Sequence, residues 1–305
     1  MSNPAASFEP YRRRLLGLAY RMLGSMADAE DAVQDTYLRW HGTDRDHVSD
    51  PRAFLMTTTT RICLDMLTSA RARREEYVGP WLPEPVFDTA ALAPDSRTEL
   101  AEDLSIALLL ILDHLSPLER AAFLLHDVFD FSFSEVATVL ERSEAACRQL
   151  AARARAHVSG VRPRGATVRP ARSDEIEAKH AQLLSAFMAA TQAGDVNALT
   201  QLLANDVRVV ADGGGKVRTA LKVIEGDDRV AQFVVNAARP HKGQWWRPDF
   251  MPRFAIINNL PGVIVEAPEG VVQTAAFEIE ADVIRALYVV RNPDKLRHLA
   301  KGART

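Results

Sequence analysis

The chain has 305 residues, of which 47% are hydrophobic and 25% charged, and its formal net charge is −3. This length suits two or three domains, the composition is that of an ordinary globular protein, and the near-neutral charge neither favours nor excludes a nucleic-acid partner. Two cysteines in helical patterns, Cys63 and Cys147, predict neither a disulfide framework nor a metal site. The sequence shows no signal-peptide core and no apolar run long enough to span a bilayer. We therefore expect a cytoplasmic protein with no membrane contact and no cofactor.

The first 76 residues have a helical pattern throughout. Apolar residues recur three and four positions apart from Phe8 to Met22, which predicts one buried helical stripe. Ser25 and the pair Asp50-Pro51 are residue types that begin helices, and acids follow Ser25 where the helix dipole favours them. The helix that begins at Pro51 ends in a basic run at residues 71–74. The pattern predicts a bundle with an acidic second helix and a basic-tailed third helix.

Two stretches that contain proline divide the remainder of the chain. Residues 77–98 contain four prolines and one glycine, which excludes a long helix. Helical periodicity resumes near residue 99 and continues to about residue 158, and residues 161–173 form a second, basic linker. The predicted domains are therefore residues 1–76, 99–160 and 174–305.

Residues 132–158 predict two helices joined by a tight break, with arginines on one side of the second helix. Ser134 and Ser143 are the expected caps of these helices. A helix that enters the major groove by its N-terminal half uses polar side chains to read bases and later arginines to hold phosphates. A bundle helix with a solvated basic face has the same pattern, so this motif alone leaves both interpretations open.

After residue 174, one amphipathic helix is followed by β-like runs and a helix near residues 229–238, which predicts an α+β fold. Aspartate, histidine and tyrosine side chains are available for catalysis, but no spacing singles out a general base, and we do not expect an enzyme. Trp245, Trp246 and Phe250 could line a cavity for a small apolar ligand, although core packing explains them equally well. The side chains considered for catalysis are Asp206, Asp212, Asp249, His180 and Tyr288.

Three motifs in the order of a known family carry a resemblance over most of residues 8–158. They are DAEDAVQDTYLRW from Asp28, DPRAFLMTTTTRICLDMLTSARARR from Asp50, and LSPLERAAFLLHDVFDFSFSEVATVLERSEAACRQLAARAR from Leu115. The chain resembles the sigma-70 family, specifically the short extracytoplasmic-function sigma factors. Three later signatures, WLPEP at 81–85, DGGGK at 212–216 and NPDKL at 292–296, resemble the subgroup fused to a SnoaL-like domain. The implied fold is multidomain: two all-α sigma domains, a helical bundle and a helix-turn-helix, followed by a cone-shaped α+β SnoaL-like domain.

The resemblance implies a role for each segment. The second helix is implied to bind the RNA polymerase core through Asp28, Asp31, Gln34, Asp35 and Trp40. The third helix and the helix-turn-helix are implied to bind the −10 and −35 promoter elements through Arg61, Arg71, Arg73, Arg74, Glu144, Arg148, Gln149, Arg153 and Arg155. The three signatures are implied to regulate in cis through Trp81, Leu82, Pro83, Glu84, Pro85, Asp212, Gly213, Gly214, Gly215, Lys216, Asn292, Pro293, Asp294, Lys295 and Leu296.

A departure from the family's pattern limits the assignment of base contacts. The threonine run at residues 57–60 replaces larger residues of relatives, so no single base contact is assigned there. The NPDKL signature is expected to end the last strand and to begin a basic tail. The implied function is a promoter-specificity subunit of RNA polymerase, and the alternative is a ligand-responsive helix-turn-helix regulator that does not use the polymerase core.

Overall fold

The structure is a computed structural model that describes residues 4–75, 77–87, 89–92, 103–161, 174–239 and 249–302. It divides into an N-terminal unit, Met1–Glu76 with Asp88–Gly165, and a C-terminal unit, Tyr77–Phe87 with Ala166–Thr305. We call Tyr77–Phe87 the strap. It belongs to the C-terminal unit, although the chain on both sides of it belongs to the N-terminal unit. The predicted fold class is confirmed, because the described N-terminal unit is helical and the C-terminal unit combines helices with a sheet.

The N-terminal unit begins with three helices, and both predicted helix starts are confirmed. The Ser25 hydroxyl accepts the backbone N–H of Asp28, and a carboxylate oxygen of Asp50 accepts that of Ala53. These caps satisfy backbone donors that have no partner in the first helical turn. The helices are α1 (Pro4–Leu23), α2 (Met26–Gly42) and α3 (Pro51–Glu75), and short 3₁₀ turns occur at Arg45–His47 and Thr89–Leu92.

The described part of the N-terminal unit contains four further helices: α4 (Ile106–His114), α5 (Pro117–Phe123), α6 (Phe133–Leu140) and α7 (Glu144–Val161). A π-helical turn follows α5 at Leu124–Val128. The predicted cap of α6 is wrong: Ser132, rather than Ser134, begins this helix. The side chains of Ser132 and Glu135 each accept the other residue's backbone N–H, so the S-x-x-E spacing completes a capping box.

The C-terminal unit packs helices on a six-stranded sheet with strand order β2-β1-β6-β5-β4-β3. β1 and β6 run parallel, and the other neighbouring strands run antiparallel. The second strand, β2, is short and comprises Ile224–Glu225. The helices are α8 (Asp174–Ala193), α9 (Val196–Leu202) and α10 (Asp227–Ala238), and the other strands are β1 (Leu203–Asp212), β3 (Met251–Ile257), β4 (Leu260–Ala267), β5 (Gly270–Glu280) and β6 (Val283–Val290).

The hydrophobic core of this unit lies between these helices and one face of the sheet. Phe187 of α8 meets Phe277 of β5 edge to face, with ring centroids 5.2 Å apart. Phe250 also lies in this core. Side chains alternate between the two faces of a strand, so Leu287 points to the core while its neighbour Tyr288 points to the other face.

The segment expected to be a basic tail is helical in the described residues, a conformation that the sequence analysis did not specify. The helix is α11, Pro293–Gly302. Asn292 precedes it and its side-chain oxygen accepts the backbone N–H of Asp294, and proline at the first helical position has no N–H that would need an acceptor. Across the described ranges, no helix combines the length and the apolar character needed to cross a membrane.

Candidate functional site

The three signatures meet at Asp212, the last residue of β1. Its carboxylate is completely buried and accepts three hydrogen bonds from the strap and the turn that follows β1. The donors are the Tyr77 hydroxyl at 2.5 Å, the Leu82 backbone N–H at 2.9 Å and the Gly214 backbone N–H at 3.0 Å. A buried carboxylate is tolerated only when such donors replace water. Asp212 therefore fixes the strap to the sheet.

Lys295 of α11 supplies the positive charge for this carboxylate. Its Nζ lies 2.7 Å from Asp212 Oδ2 and also donates to the Leu82 carbonyl oxygen. The same ammonium lies over the Trp81 ring, 4.3 Å from its centroid, and over the Tyr77 ring at 5.0 Å. Burial, followed by the hydrogen bond to Asp212, raises the pKa of Tyr77, so its hydroxyl remains a donor at neutral pH.

The DGGGK turn requires its glycines. Gly214 and Gly215 have φ values of +60° and +69°, a region that side chains disfavour. A Cβ atom at Gly213 would overlap the Val217 carbonyl oxygen, and one at Gly214 would overlap the Asn292 side chain. Lys216 of the same turn forms an ion pair with Asp294, which lowers the pKa of Asp294. The turn therefore lies directly against the NPDKL signature.

The C-terminal end of the strap is held by residues that the sequence did not single out. Asn258 accepts the Val86 backbone N–H at 3.0 Å and donates its own backbone N–H to the Val86 carbonyl at 2.8 Å. His298 lies 2.8 Å from the Pro85 carbonyl oxygen and 3.7 Å from the Glu84 carboxylate. The Asn258-Asn259 turn was the available signal, since both residues have the positive φ that asparagine tolerates. Every predicted strap residue from Leu82 to Pro85 is buried, as is Leu296 of α11, whereas Pro293 is exposed.

Helix α7 has the two faces expected of a helix-turn-helix reader. Cys147, Ala151 and Ala154 are buried, whereas Glu144, Arg148 and Gln149 are exposed. Glu141, in the turn between α6 and α7, takes the left-handed conformation (φ 54°) that glycine often provides in such turns. The Arg148 guanidinium pairs with Glu144 at 2.8 Å and lies 5.1 Å from the centroid of the Phe133 ring.

The two later arginines of α7 are paired within the N-terminal unit. Arg153 contacts Glu119 at 2.6 Å, and Arg155 contacts Asp127 at 2.7 Å. Hydrogen bonds from Ser116, and then from Arg153, lower the pKa of Glu119. These arginines therefore brace α7 against the preceding helices in this structure, and they would have to exchange these partners to bind phosphates.

The acidic face of α2 is present, but Trp40 is not part of it. Asp31, Gln34 and Asp35 are exposed, and Asp28 is half-buried in the first turn. Trp40 is 1% exposed, and its indole N–H donates to the Ser7 hydroxyl while its ring packs on Phe54. The prediction that Trp40 contacts a partner is corrected, because its side chain is committed to the bundle core.

On α3, Arg61 donates to the carbonyl oxygens of Thr138 and Val139, both at 3.3 Å, and pairs with Glu141 at 2.9 Å. The hydroxyls of residues 58–60 bond to the carbonyls four positions earlier in α3 and are buried. These three hydroxyls are therefore not free to bind a base. The side chains of Arg71, Arg73 and Arg74 lie outside the described residues.

The acids once considered for catalysis do not form one site. Asp206 pairs with Arg285 on the surface, Asp212 holds the strap, and the hydroxyl of the buried Tyr288 donates to Glu278 at 2.7 Å. Asp249 is exposed and His180 half-buried. The described residues contain no group of histidine, cysteine and acidic side chains that could hold a metal ion. Trp245 and Trp246 lie outside the described residues, and Phe250 is a core residue.

Comparisons with known proteins match both helical modules and the chain as a whole. Residues 8–73 match the family described as Sigma-70 region 2, and residues 105–158 match Sigma-70, region 4. The chain is 38% identical to the ECF RNA polymerase sigma factor SigJ of Mycobacterium tuberculosis over 299 residues, covering 95% of this chain and 92% of SigJ. It is 29% identical to the probable ECF RNA polymerase sigma factor SigI of the same species, covering 96% and 94%. The crystal structure of SigJ aligns with a TM-score of 0.70 at 34% identity, covering 96% and 98%.

Proposed function

The chain belongs to the extracytoplasmic-function sigma factors of the sigma-70 family, which direct promoter recognition and transcription initiation, and we propose that it does so with α2, α3 and α7 while its C-terminal unit adjusts the activity in cis. Such a factor is not an enzyme. Its partners are the RNA polymerase core and promoter DNA, so we place its action in the cytoplasm. The sections of the chain up to residue 76, from 99 to 160 and from 174 onward are the proposed functional domains.

The exposed N-terminal half of α7 carries the proposal. Glu144, Arg148 and Gln149 share one exposed side, opposite the small buried residues that hold α7 on the bundle. Arginine can donate two hydrogen bonds to the edge of one guanine, glutamine can form two with adenine, and glutamate can accept one from cytosine. These three side chains therefore suit base reading at the −35 element. Arg153 and Arg155 suit phosphate binding once they leave their acidic partners.

Helix α2 is the proposed contact with the polymerase core. Asp31, Gln34 and Asp35 give one exposed side an acidic character, which suits a basic partner surface. Leu38, one turn after Gln34, is 58% exposed and adds apolar area to the same side. The sequence analysis did not select Leu38, because an apolar residue in a helix is most often part of the core.

The strap connects the C-terminal unit through the chain to the proposed DNA-binding helices. The strap follows α3 after a single residue, and α3 carries the proposed −10 contact Arg61. Binding of the strap by Asp212, Asn258 and Lys295 therefore restrains the chain at the end of α3. We propose that a change in the C-terminal unit that releases or holds the strap alters how α3 meets DNA.

Reconstituted transcription tests the proposal. The purified chain, mixed with core RNA polymerase and a library of candidate promoters, should produce initiation that depends on both the chain and the promoter. A regulator that does not use the core would bind DNA in the absence of polymerase and give no initiation of its own. Failure of the chain to associate with the core would exclude the proposed function.

A further inference from the structure

The π-helical turn Leu124–Val128 places two adjacent side chains next to the helix-turn-helix. The turn is held by a backbone hydrogen bond of 3.0 Å between residues five apart, which makes it wider than an α-helical turn. Asp127 of this turn contacts Arg155 of α7 at 2.7 Å. Because this ion pair fixes the turn to α7, His126, the residue before Asp127, has a defined position beside the same helix.

The His126 ring is held in one orientation. Its Nδ1 lies 2.7 Å from the Phe131 carbonyl oxygen, and since a carbonyl only accepts, the hydrogen of this bond is on Nδ1. The imidazole stacks on Phe133, the first residue of α6, with ring centroids 3.9 Å apart and planes 26° from parallel. Phe133 is only half-buried, so we attribute the orientation of its ring to this stack.

The Phe133 ring in turn contacts Arg148, the residue of α7 that we propose reads a base. The guanidinium carbon lies 5.1 Å from the ring centroid, within the range of a cation–π contact. Glu144 provides a second restraint, an ion pair of 2.8 Å, and the Arg148 side chain remains 57% exposed. Two contacts thus orient a guanidinium that is still accessible to DNA.

The two restraints differ in what happens when Arg148 binds a base. The Glu144 carboxylate occupies an N–H donor, so this ion pair competes with the edge of a base. An aromatic ring attracts the charge without taking the in-plane donors, so the contact with Phe133 can persist while those donors bind guanine. Ordering a flexible side chain costs conformational entropy, and a restraint that is already present lowers this cost. The ring contact is therefore the one that can set the direction of Arg148 in the DNA complex.

We propose that His126 and Phe133 are positioning residues for base recognition: the imidazole fixes the Phe133 ring, and the ring directs Arg148 toward one base pair of the −35 element. The inference rests on the proposed function, because it takes Arg148 as a base contact. Neither His126 nor Phe133 needs to touch DNA for this effect. The sequence analysis did not select His126, because its stack with Phe133 joins residues seven positions apart across a turn.

A double-mutant cycle between His126 and Arg148 tests the inference in the full-length protein bound to core polymerase. Competition between an intact −35 element and its single-base-pair variants measures discrimination at each position. Arg148→Ala should lose discrimination about 5- to 150-fold at the position that it reads. His126→Ala should lose about two- to fivefold at the same position, the effect of an exposed cation–π contact. In the Arg148→Ala background, His126→Ala should have no further effect, because no guanidinium is left to direct.

Three further variants separate positioning from stability. His126→Phe keeps a ring on Phe133 and should keep discrimination within about twofold of wild type. Phe133→Leu keeps apolar volume but removes the ring, so it should act like His126→Ala and serves if that variant does not fold. His114→Ala is the matched control and should discriminate like wild type, since this exposed histidine of α4 has no hydrogen bond or ring contact among the described residues.

The outcomes distinguish the inference from the function on which it rests. No loss in His126→Ala, or equal losses with and without Arg148, would overturn the inference. A loss spread evenly over all −35 positions would do the same, because it indicates reduced stability rather than a misdirected side chain. Unchanged discrimination in Arg148→Ala would also overturn it, since no base contact would remain to be positioned. If the wild-type protein does not associate with core polymerase, the proposed function itself fails and the inference fails with it.

Discussion

At the scale of single residues, the buried pair of Asp212 and Lys295 contacts the strap at Leu82. Both side chains lose water on folding, and their attraction compensates only because further donors and acceptors complete the network. Substitution of only one of these two residues, however, leaves the other as an unpaired buried charge.

We predict that Lys295→Met destabilises the C-terminal unit by about 3–5 kcal/mol, because Asp212 would remain buried without a cation. The double variant Asp212→Asn/Lys295→Met should lose less than the sum of the two single variants. Urea unfolding followed by circular dichroism measures both. Asp206→Asn is the control, since its pair with Arg285 is exposed and should contribute less than about 1 kcal/mol. Strict additivity would contradict the coupling.

We predict that Glu119 makes the stability of the N-terminal unit depend on pH. Hydrogen bonds from Ser116 and Arg153 lower the pKa of Glu119 in the folded state. Its contribution is therefore complete above the pKa of the unfolded chain and is lost as pH falls through the lowered folded-state pKa. Urea unfolding should show wild type more stable than Glu119→Gln at pH 7, with the difference shrinking below about pH 4. A difference that is constant with pH would show that titration of Glu119 is not involved.

At the scale of elements, α7 has a buried face that packs on the bundle and an opposite, exposed face that we propose reads bases. Cys147, Ala151 and Ala154 are small enough for α7 to approach its neighbours closely, which leaves the opposite side exposed along the N-terminal half. Arg148 lies one turn after Glu144 and pairs with it, so its guanidinium is oriented without being buried. Such an arginine can exchange its partner for a base at low cost.

We predict that Arg148→Glu weakens recognition of the −35 element by about 1–3 kcal/mol, or roughly 5- to 150-fold. The substitution removes the guanidinium donors and places a second carboxylate one turn after Glu144, facing the negatively charged DNA. Competition between promoters with intact and altered −35 elements, in the presence of core polymerase, measures the change. Arg12→Glu is the control, because Arg12 is an exposed residue of α1 whose described contacts, with Glu9 and with the Phe8 ring, lie within the same helix. A retained −35 preference would remove Arg148 from the proposed interface.

At the scale of the whole molecule, the path of the chain links the two units through the strap. The chain leaves the N-terminal unit after α3, contributes the strap to the C-terminal unit and returns at Thr89–Leu92. The strap buries Leu82 and Val86 in the C-terminal unit. A truncated protein would expose these apolar residues and would release the end of α3.

We predict that deletion of residues 174–305 changes promoter-dependent initiation with core polymerase. A full-length Asn258→Ala variant should shift the output in the same direction by a smaller amount, because it loses the side-chain acceptor of the Val86 N–H while the backbone hydrogen bond to the Val86 carbonyl and the rest of the C-terminal unit are kept. Initiation assays on several promoters measure both. Equal output from wild type and the truncated protein on every promoter would exclude regulation in cis.

The sequence by itself determined the local features of this protein. The starts of α2, α3 and α7, the apolar stripe of α1 and the two faces of α7 follow from residues within a few turns of each other, where caps and helical periodicity act. The order of the motifs also identified the two sigma modules. The cap of α6 was misassigned although the capping box at Ser132 was readable, because two serines competed for the position.

Only the tertiary structure decided how distant segments meet. Asp212 lies 130 positions after Leu82 and 83 positions before Lys295, and no local sequence pattern predicts that these residues share one buried site. The same holds for Trp40, which the resemblance assigns to a partner surface but which is buried beside Phe54. It also holds for Arg61, which contacts the end of α6. Burial and charge pairing depend on which faces pack together. That choice is a property of the folded chain as a whole, because many weak contacts must be satisfied at the same time.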